Sequence, residues 1–168
     1  MSAKTKNAEV IRTIAAIFAL ALLSGCETGP VYEDHVDIPE RGWYKDSVLS
    51  FTVGIEDTTV GYKILLHLRN NDDYPYRNIY FFRSVESERG TEFADTAQYL
   101  MADPYGKWLG TGVGQIKSHE WPFRESRVYF NQPGEYTFRM QQAMRTDYLE
   151  GLESVGLSVY KAENGEKE

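Results

Sequence analysis

Apolar and polar residues alternate along most of the chain beyond residue 47, and a period of two predicts half-buried β-strands. In Tyr62–Asn70 the even-numbered residues from Tyr62 to Leu68 are apolar, while His67 falls on the opposite face. The predicted strands are Val48–Ile55, Tyr62–Asn70, Ile79–Val85, Thr91–Met101, Arg127–Phe130, Tyr136–Met140 and Val155–Tyr160.

Turn-forming residues separate these segments. Asn70–Pro75, Asp103–Gly106 and Asn131–Gly134 are rich in Asn, Asp, Pro and Gly, which favour tight turns. Only Gln141–Arg145 has a pattern compatible with a helical turn. Many short strands without helix–strand alternation predict an all-β fold, an antiparallel β-sandwich that is either jelly-roll or immunoglobulin-like.

A different hydrophobic pattern stands at the start of the chain. The uncharged apolar run Ile14–Leu23 follows a basic start and is shorter than the roughly 20 residues that a membrane-spanning helix needs. The next residues, Leu23–Cys26, resemble a lipobox, and Cys26 is the single cysteine, so a disulfide has no partner. We predict a cleaved lipoprotein signal peptide at residues 1–25 and lipid on Cys26. The alternative is an ordinary secretory signal.

The rest of the chain divides into a lipidated tether (26–30), a single β-sandwich domain (31–161) and a flexible charged tail (162–168). Without residues 1–25, Lys+Arg falls from 18 to 15 and Asp+Glu from 25 to 24, which gives a net charge of −9. This acidity argues against nucleic acid as a partner, because nucleic-acid binding needs a basic surface. Glu27 after the cysteine, in place of Asp, favours anchoring in the outer membrane.

Patterns that would indicate catalysis or a metal site are missing from the sequence. His35, His67 and His119 have no metal-like spacing, and no serine lies in a Gly-x-Ser-x-Gly turn. The stretch 110–114 has alternate glycines but not the dinucleotide-binding pattern, and we interpret it as a loop where the backbone bends or another chain approaches closely. We therefore predict no catalytic residues, no metal, no cofactor and no small-molecule substrate.

Acidic and aromatic residues in two turns leave two interpretations open. Carboxylates could bind Ca²⁺ and flat aromatic rings could bind a sugar, but the same residue types are common in turns. The residues concerned are Asp72, Asp73, Tyr74 and Tyr76 in one turn, and Asp103 and Tyr105 in the other.

Several blocks, in order, resemble the gliding-motility lipoprotein GldH family. The blocks are Val31–Asp34 leading to Gly42–Asp46, then Leu68–Asn78, Ala102–Gly112, and Gln142–Asp147 continuing to Leu157. The resemblance implies an envelope lipoprotein of Gram-negative gliding bacteria or their non-gliding relatives. It implies a role in cell movement over surfaces, associated with adhesin secretion and with no established enzymatic activity. It also implies lipid attachment at Cys26.

Two functional hypotheses follow. The first is a non-catalytic component of the gliding machinery and its adhesin-secretion apparatus, held on the membrane by lipid and bound to other machinery proteins. Its candidate contact residues are Tyr74, Tyr76, Lys107 and Trp108, because aromatic residues are enriched at interface cores. The alternative is a cell-envelope glycan-binding β-sandwich, an analogy that rests on fold class alone.

Overall fold

The computed structural model describes residues 29–162, and within them every regular element is a β-strand. This confirms the predicted all-β class. The described part of the chain accordingly holds no helix long and apolar enough to cross a membrane. The predicted signal peptide, Cys26 and residues 163–168 lie outside the described residues. The strands are β1 (Tyr32–Asp37), β2 (Trp43–Tyr44), β3 (Leu49–Ile55), β4 (Tyr62–Asn70), β5 (Asn78–Ser87), β6 (Gly90–Leu100), β7 (Lys117–Pro122), β8 (Gly134–Gln142), β9 (Tyr148–Leu149) and β10 (Leu152–Lys161).

Two four-stranded antiparallel sheets form the sandwich. One has the order β1-β10-β4-β7 and the other β3-β8-β5-β6, while the short β2 and β9 pair separately. Among the long strands, the chain changes sheet at every connection except the β5–β6 hairpin. This order is that of a jelly roll, and it decides between the two sandwich types that the sequence left open.

The core lies between the sheets and follows the predicted alternation. Phe51, Val53 and Ile55 on β3 and Leu66 and Leu68 on β4 are each at most 2% exposed. Burying an aliphatic or aromatic side chain of this size contributes about 1.5–3 kcal/mol. The apolar face of each strand therefore accounts for the way the two sheets pack.

Two local predictions are wrong, and four strands (β1, β2, β7 and β9) were not predicted. Arg127–Phe130 is not a strand, and only Val128 pairs with a neighbour, Tyr62 of β4. Gln141 and Gln142 complete β8 instead of starting a helical turn. Strands β1 and β7 were not predicted, because as sheet-edge strands they carry few buried apolar residues.

An arginine occupies one of the inward positions of β5. Arg83 is 7% exposed and lies on the same inward face of β5 as the buried Phe81 and Val85. Its Nε donates to Asp95 Oδ1 at 2.8 Å, forming an ion pair with the residue directly opposite on β6. Its Nη1 donates to Tyr99 OH and to Phe123 O, at 2.6 and 2.5 Å. The charge is thus paired, and each of the three guanidinium nitrogens has a hydrogen-bond partner, since Nη2 donates to Asp95 Oδ2.

The two ends of the sandwich differ. Four connecting segments lie at one end, the loop end: residues 38–48, 71–77, 101–116 and 143–151. The opposite end, the terminal end, carries residues 56–61, 88–89 and 123–133 together with the first and last described residues. Val31 N–H donates to Val159 O at 2.7 Å there, and Ala162 N–H donates to Gly61 O at 2.8 Å. The described chain therefore begins and finishes at the terminal end.

Candidate functional site

The four segments of the loop end are joined to one another. Backbone hydrogen bonds connect neighbouring segments: Asn71 N–H donates to Gly151 O at 2.9 Å, Lys45 N–H to Asp147 O at 2.9 Å, and Met101 N–H to Arg77 O at 2.8 Å. All blocks that carried the family resemblance, apart from Val31–Asp34 and the continuation into β10, contribute residues to this end. We therefore take the loop end as the candidate functional site.

Tyr74 and Trp108 lie at the centre of the loop end. Tyr74 is 3% exposed, and its hydroxyl donates to Asn78 O at 2.9 Å. Burial raises the pKa of Tyr74 well above its ordinary value, so the hydroxyl stays a donor. Trp108, whose ring centroid is 6.3 Å from that of Tyr74, donates from Nε1 to Asp72 Oδ1 at 3.1 Å. Two segments are thereby fastened together.

The four predicted contact residues consequently fall into two groups. Tyr76 is 39% exposed and Lys107 is also exposed, so both offer surface to a partner. Trp108 is half-buried. Tyr74 points into the protein, so it stabilises the loop end and offers almost no surface to a partner.

The carboxylates of Asp72 and Asp103 accept hydrogen bonds within the loop end. Asp103 Oδ1 accepts from Tyr105 N–H at 2.8 Å and from Lys107 N–H at 3.0 Å. Asp72 accepts from Trp108, and Asp73 N–H donates to Asn71 Oδ1 at 2.9 Å. Across residues 29–162, no group of three or more His, Cys, Asp or Glu side chains is arranged to hold a metal ion. The hydrogen bonds of Asp103 therefore support its interpretation as a turn residue.

The segment 101–116 presents exposed apolar side chains, of which the sequence patterns singled out Tyr105 but not Leu109 or Val113. Tyr105 is 95% exposed, Leu109 is 56% exposed and Val113 is fully exposed. Val113 could have been singled out from the sequence, because it is a large residue between two turn glycines, where small polar residues are usual. The predicted backbone bend is confirmed at Gly112, whose φ is +145° and where a Cβ would lie 2.4 Å from Ile116 O of the same loop.

Beneath the 101–116 segment lies a buried polar pair. His119 Nε2 is 2.9 Å from Asn70 Oδ1, so this nitrogen carries the proton and donates. The imidazole stacks on Trp121 with ring centroids 5.0 Å apart, and Trp121 stacks on Tyr99 at 4.8 Å. Burial lowers the pKa of His119, so the imidazole is neutral at pH 7.

We expect the protein to lose stability in mild acid because of His119. Its folded-state pKa is below the ordinary 6.5, so the unfolded chain binds the proton more readily. The free energy of unfolding should fall as the pH drops below 6.5, until the folded-state pKa is reached. Urea unfolding at about pH 8 and about pH 5 measures the loss, and His119→Gln, which has no titrating ring, should lose less. An equal loss in both proteins would contradict this assignment.

A Ser–His–Glu arrangement crosses the outer face of the first sheet. His67 Nε2 is 2.6 Å from Ser158 Oγ, and His67 Nδ1 is 3.8 Å from Glu120 Oε2. Ser158, however, has no exposed surface, and β10 lies between two strands that engage its amides. The set therefore has neither an accessible nucleophile nor free donors for an oxyanion, and it acts as a polar contact between strands.

Comparisons with known proteins match most of the chain. A family model described as GldH lipoprotein matches residues 30–159, a range that starts after Cys26. A gliding motility lipoprotein GldH homolog of Christiangramia forsetii is 35% identical over 88% of this chain and 94% of its own length. Gliding motility lipoprotein GldH of Flavobacterium johnsoniae is 30% identical over 85% of this chain and 92% of its own.

Solved structures show a weaker likeness. The K1 cleaved adhesin domain of Lys-gingipain from Porphyromonas gingivalis gives a TM-score of 0.38 at 9% identity, over 84% of this chain and 88% of that one. A CBM35 domain in complex with a glucuronic acid-containing disaccharide gives 0.34 at 12% identity, over 85% of this chain and 98% of that one. With TM-scores this low, neither likeness bears on function.

Proposed function

The chain belongs to the GldH lipoprotein family, and from this we propose that it is a non-catalytic component of the gliding motility machinery and its adhesin-secretion apparatus. Family membership indicates a membrane-anchored lipoprotein of the cell envelope. The finer parts of the proposal are lipid on Cys26, residence in the outer membrane and binding to other proteins of the machinery. The observation that carries the proposal is the match to both named relatives along nearly their whole length.

The geometry of the described residues supports a binding role over a catalytic one. The nearest approach to a catalytic set, at Ser158, has its hydroxyl covered. The loop end instead presents exposed side chains on segments that hydrogen bonds hold together, such as that between Trp108 and Asp72. A surface already fixed in position loses little conformational entropy when a partner binds.

Deleting the gene and restoring it with variants tests the proposal. We expect the deletion to reduce colony spreading and surface adhesin, and the unaltered gene to restore both. Cys26→Ala should abolish acyl-chain labelling, because the proposed acyl chains are attached to this residue. The protein should then leave the membrane fraction, because firm anchoring depends on those chains. Density-gradient separation of the two membranes tests the outer-membrane assignment. Normal spreading after deletion, or a labelled and membrane-bound Cys26→Ala protein, would contradict the proposal.

Exposed aromatic rings at the loop end, Tyr76 and Tyr105, give the glycan-binding alternative one specific observation in its favour. Flat rings stack against sugar faces, and both residues are accessible. An array of cell-envelope glycans distinguishes the alternatives: binding that disappears in Tyr76→Ala would favour the glycan module over the machinery component.

A further inference from the structure

The loop end lies one strand length away from the terminal end, where the described chain begins. β4 runs from the terminal end to the loop end over nine residues, which at about 3.3 Å per residue spans roughly 26 Å. Cys26 precedes Val31 by five residues, so a lipid there lies within about 17 Å of the terminal end. Given the anchor that the proposed function assigns, the loop end is the part of the sandwich that can stand farthest from the membrane.

Hydrogen bonds within the two turns of the 101–116 segment hold its apolar side chains outward. Asp103 accepts two backbone N–H groups and fixes the first turn, at whose tip Tyr105 stands. Thr111 and Ser118 exchange two backbone hydrogen bonds, at 2.9 and 2.7 Å, and close the second turn, which carries Val113. Because both turns are pinned at their bases, the exposure of these side chains is a fixed feature of the fold.

We propose that the 101–116 segment inserts Tyr105, Leu109 and Val113 into an apolar recess of a protein partner that stands away from the lipid surface. The inference rests on the proposed function and adds the surface and the chemistry of the partner. Leu109 and Val113 offer no hydrogen bonds to a sugar, so an apolar recess suits them better than a glycan does. Lys107 and Asp103, beside the first turn, would meet a polar rim, as at most protein interfaces.

The position of the segment argues against the membrane as its binding surface. The lipid anchor holds the terminal end, and the segment emerges from the opposite end, beyond the last residues of β6 and β4. The terminal end carries its own exposed aromatic residue, Tyr129, which is 64% exposed. The two tyrosines, Tyr105 and Tyr129, therefore form a matched pair at opposite ends of one molecule.

The full-length lipidated protein, expressed in the deletion strain, tests the proposal. A combined Tyr105→Ser, Leu109→Ser and Val113→Ser variant should keep its membrane level, acyl labelling and thermal unfolding temperature, because these side chains lack core contacts. Spreading and surface adhesin should fall to the level of the deletion strain. Tyr129→Ser should behave as the unaltered protein. Normal spreading in the triple variant, or an equal defect in Tyr129→Ser, would overturn the proposal.

Photo-crosslinking in intact cells identifies the class of partner. A photoreactive phenylalanine analogue at position 105 should give a discrete protein adduct that the same analogue at position 129 does not give, and that the Leu109→Ser, Val113→Ser background removes. Adducts at position 105 with lipid or glycan alone would overturn the proposal. If deletion leaves spreading intact, the proposed function fails, whereas the crosslinking result still decides whether the segment docks on a protein.

Discussion

Replacing Gly151 with alanine is expected to lower the free energy of unfolding by about 2–5 kcal/mol, because backbone strain and a steric clash both contribute. Gly151 has a φ of +75°, a conformation that disfavours any residue with a Cβ. An added Cβ would lie 2.2 Å from Tyr74 N and 2.5 Å from Tyr74 Cα. These are backbone atoms, so a side-chain rotation cannot relieve the clash, and the 71–77 and 143–151 segments would have to separate.

Gly106→Ala is the matched control for this prediction. Gly106 lies at the same end with a similar φ of +85°, but an added Cβ would meet no atom within 4 Å. It should cost only the backbone strain, about 1–2 kcal/mol. Urea unfolding of the chain from residue 27 onward measures both variants. Equal losses would show that the contact between Gly151 and Tyr74 is not a tight one.

The second large effect is expected at the buried ion pair of the core. Asp95→Ala leaves the Arg83 guanidinium, 6% exposed, without its carboxylate. Removing one partner of a buried pair costs about 3–5 kcal/mol, and we expect about 3, the low end, because water still reaches the carboxylate. The side chain of Asp95 is 35% exposed. A combined Arg83→Met and Asp95→Leu variant should lose less than Asp95→Ala alone, because it leaves no charge unpaired.

An exposed pair involving the same sheet provides the control. Arg139 Nε lies 3.0 Å from Glu86 Oε2, and the two side chains are 45% and 36% exposed. Glu86→Ala should cost less than about 1 kcal/mol, as exposed ion pairs do. Urea unfolding monitored by tryptophan fluorescence compares the variants. A loss in Asp95→Ala no larger than that in Glu86→Ala would mean that Arg83 does not depend on its carboxylate.

Local alternation was sufficient to predict the strands with regularly buried faces. Tyr62–Asn70 agrees with β4 at both ends, and the predicted Val48–Ile55 differs from β3 by one residue. The same criterion missed β1, whose sequence is mostly polar and whose faces are barely buried. The jelly-roll order could not be predicted either, because it depends on pairings between distant residues such as Tyr32 and Val159.

The sequence predicted which turns form the candidate site but not which of their side chains are exposed. The turns that hold Tyr74 and Trp108 do lie at one end, but turn propensity does not say which ring points inward. Arg83 could have been found from the sequence, since it falls on the apolar period of β5 between Phe81 and Val85. Lipid attachment at Cys26 remains a prediction from the lipobox.

Strand β1 lies at the edge of its sheet. It pairs with β10, which is the last strand of the described residues. A chain threaded across a membrane from its N-terminus therefore delivers β1 first and its partner last. Pairings between strands so far apart in sequence form slowly, since a long loop must close before they contribute. In a chain that crosses a membrane in this direction, the sandwich can therefore close only after β10 has emerged.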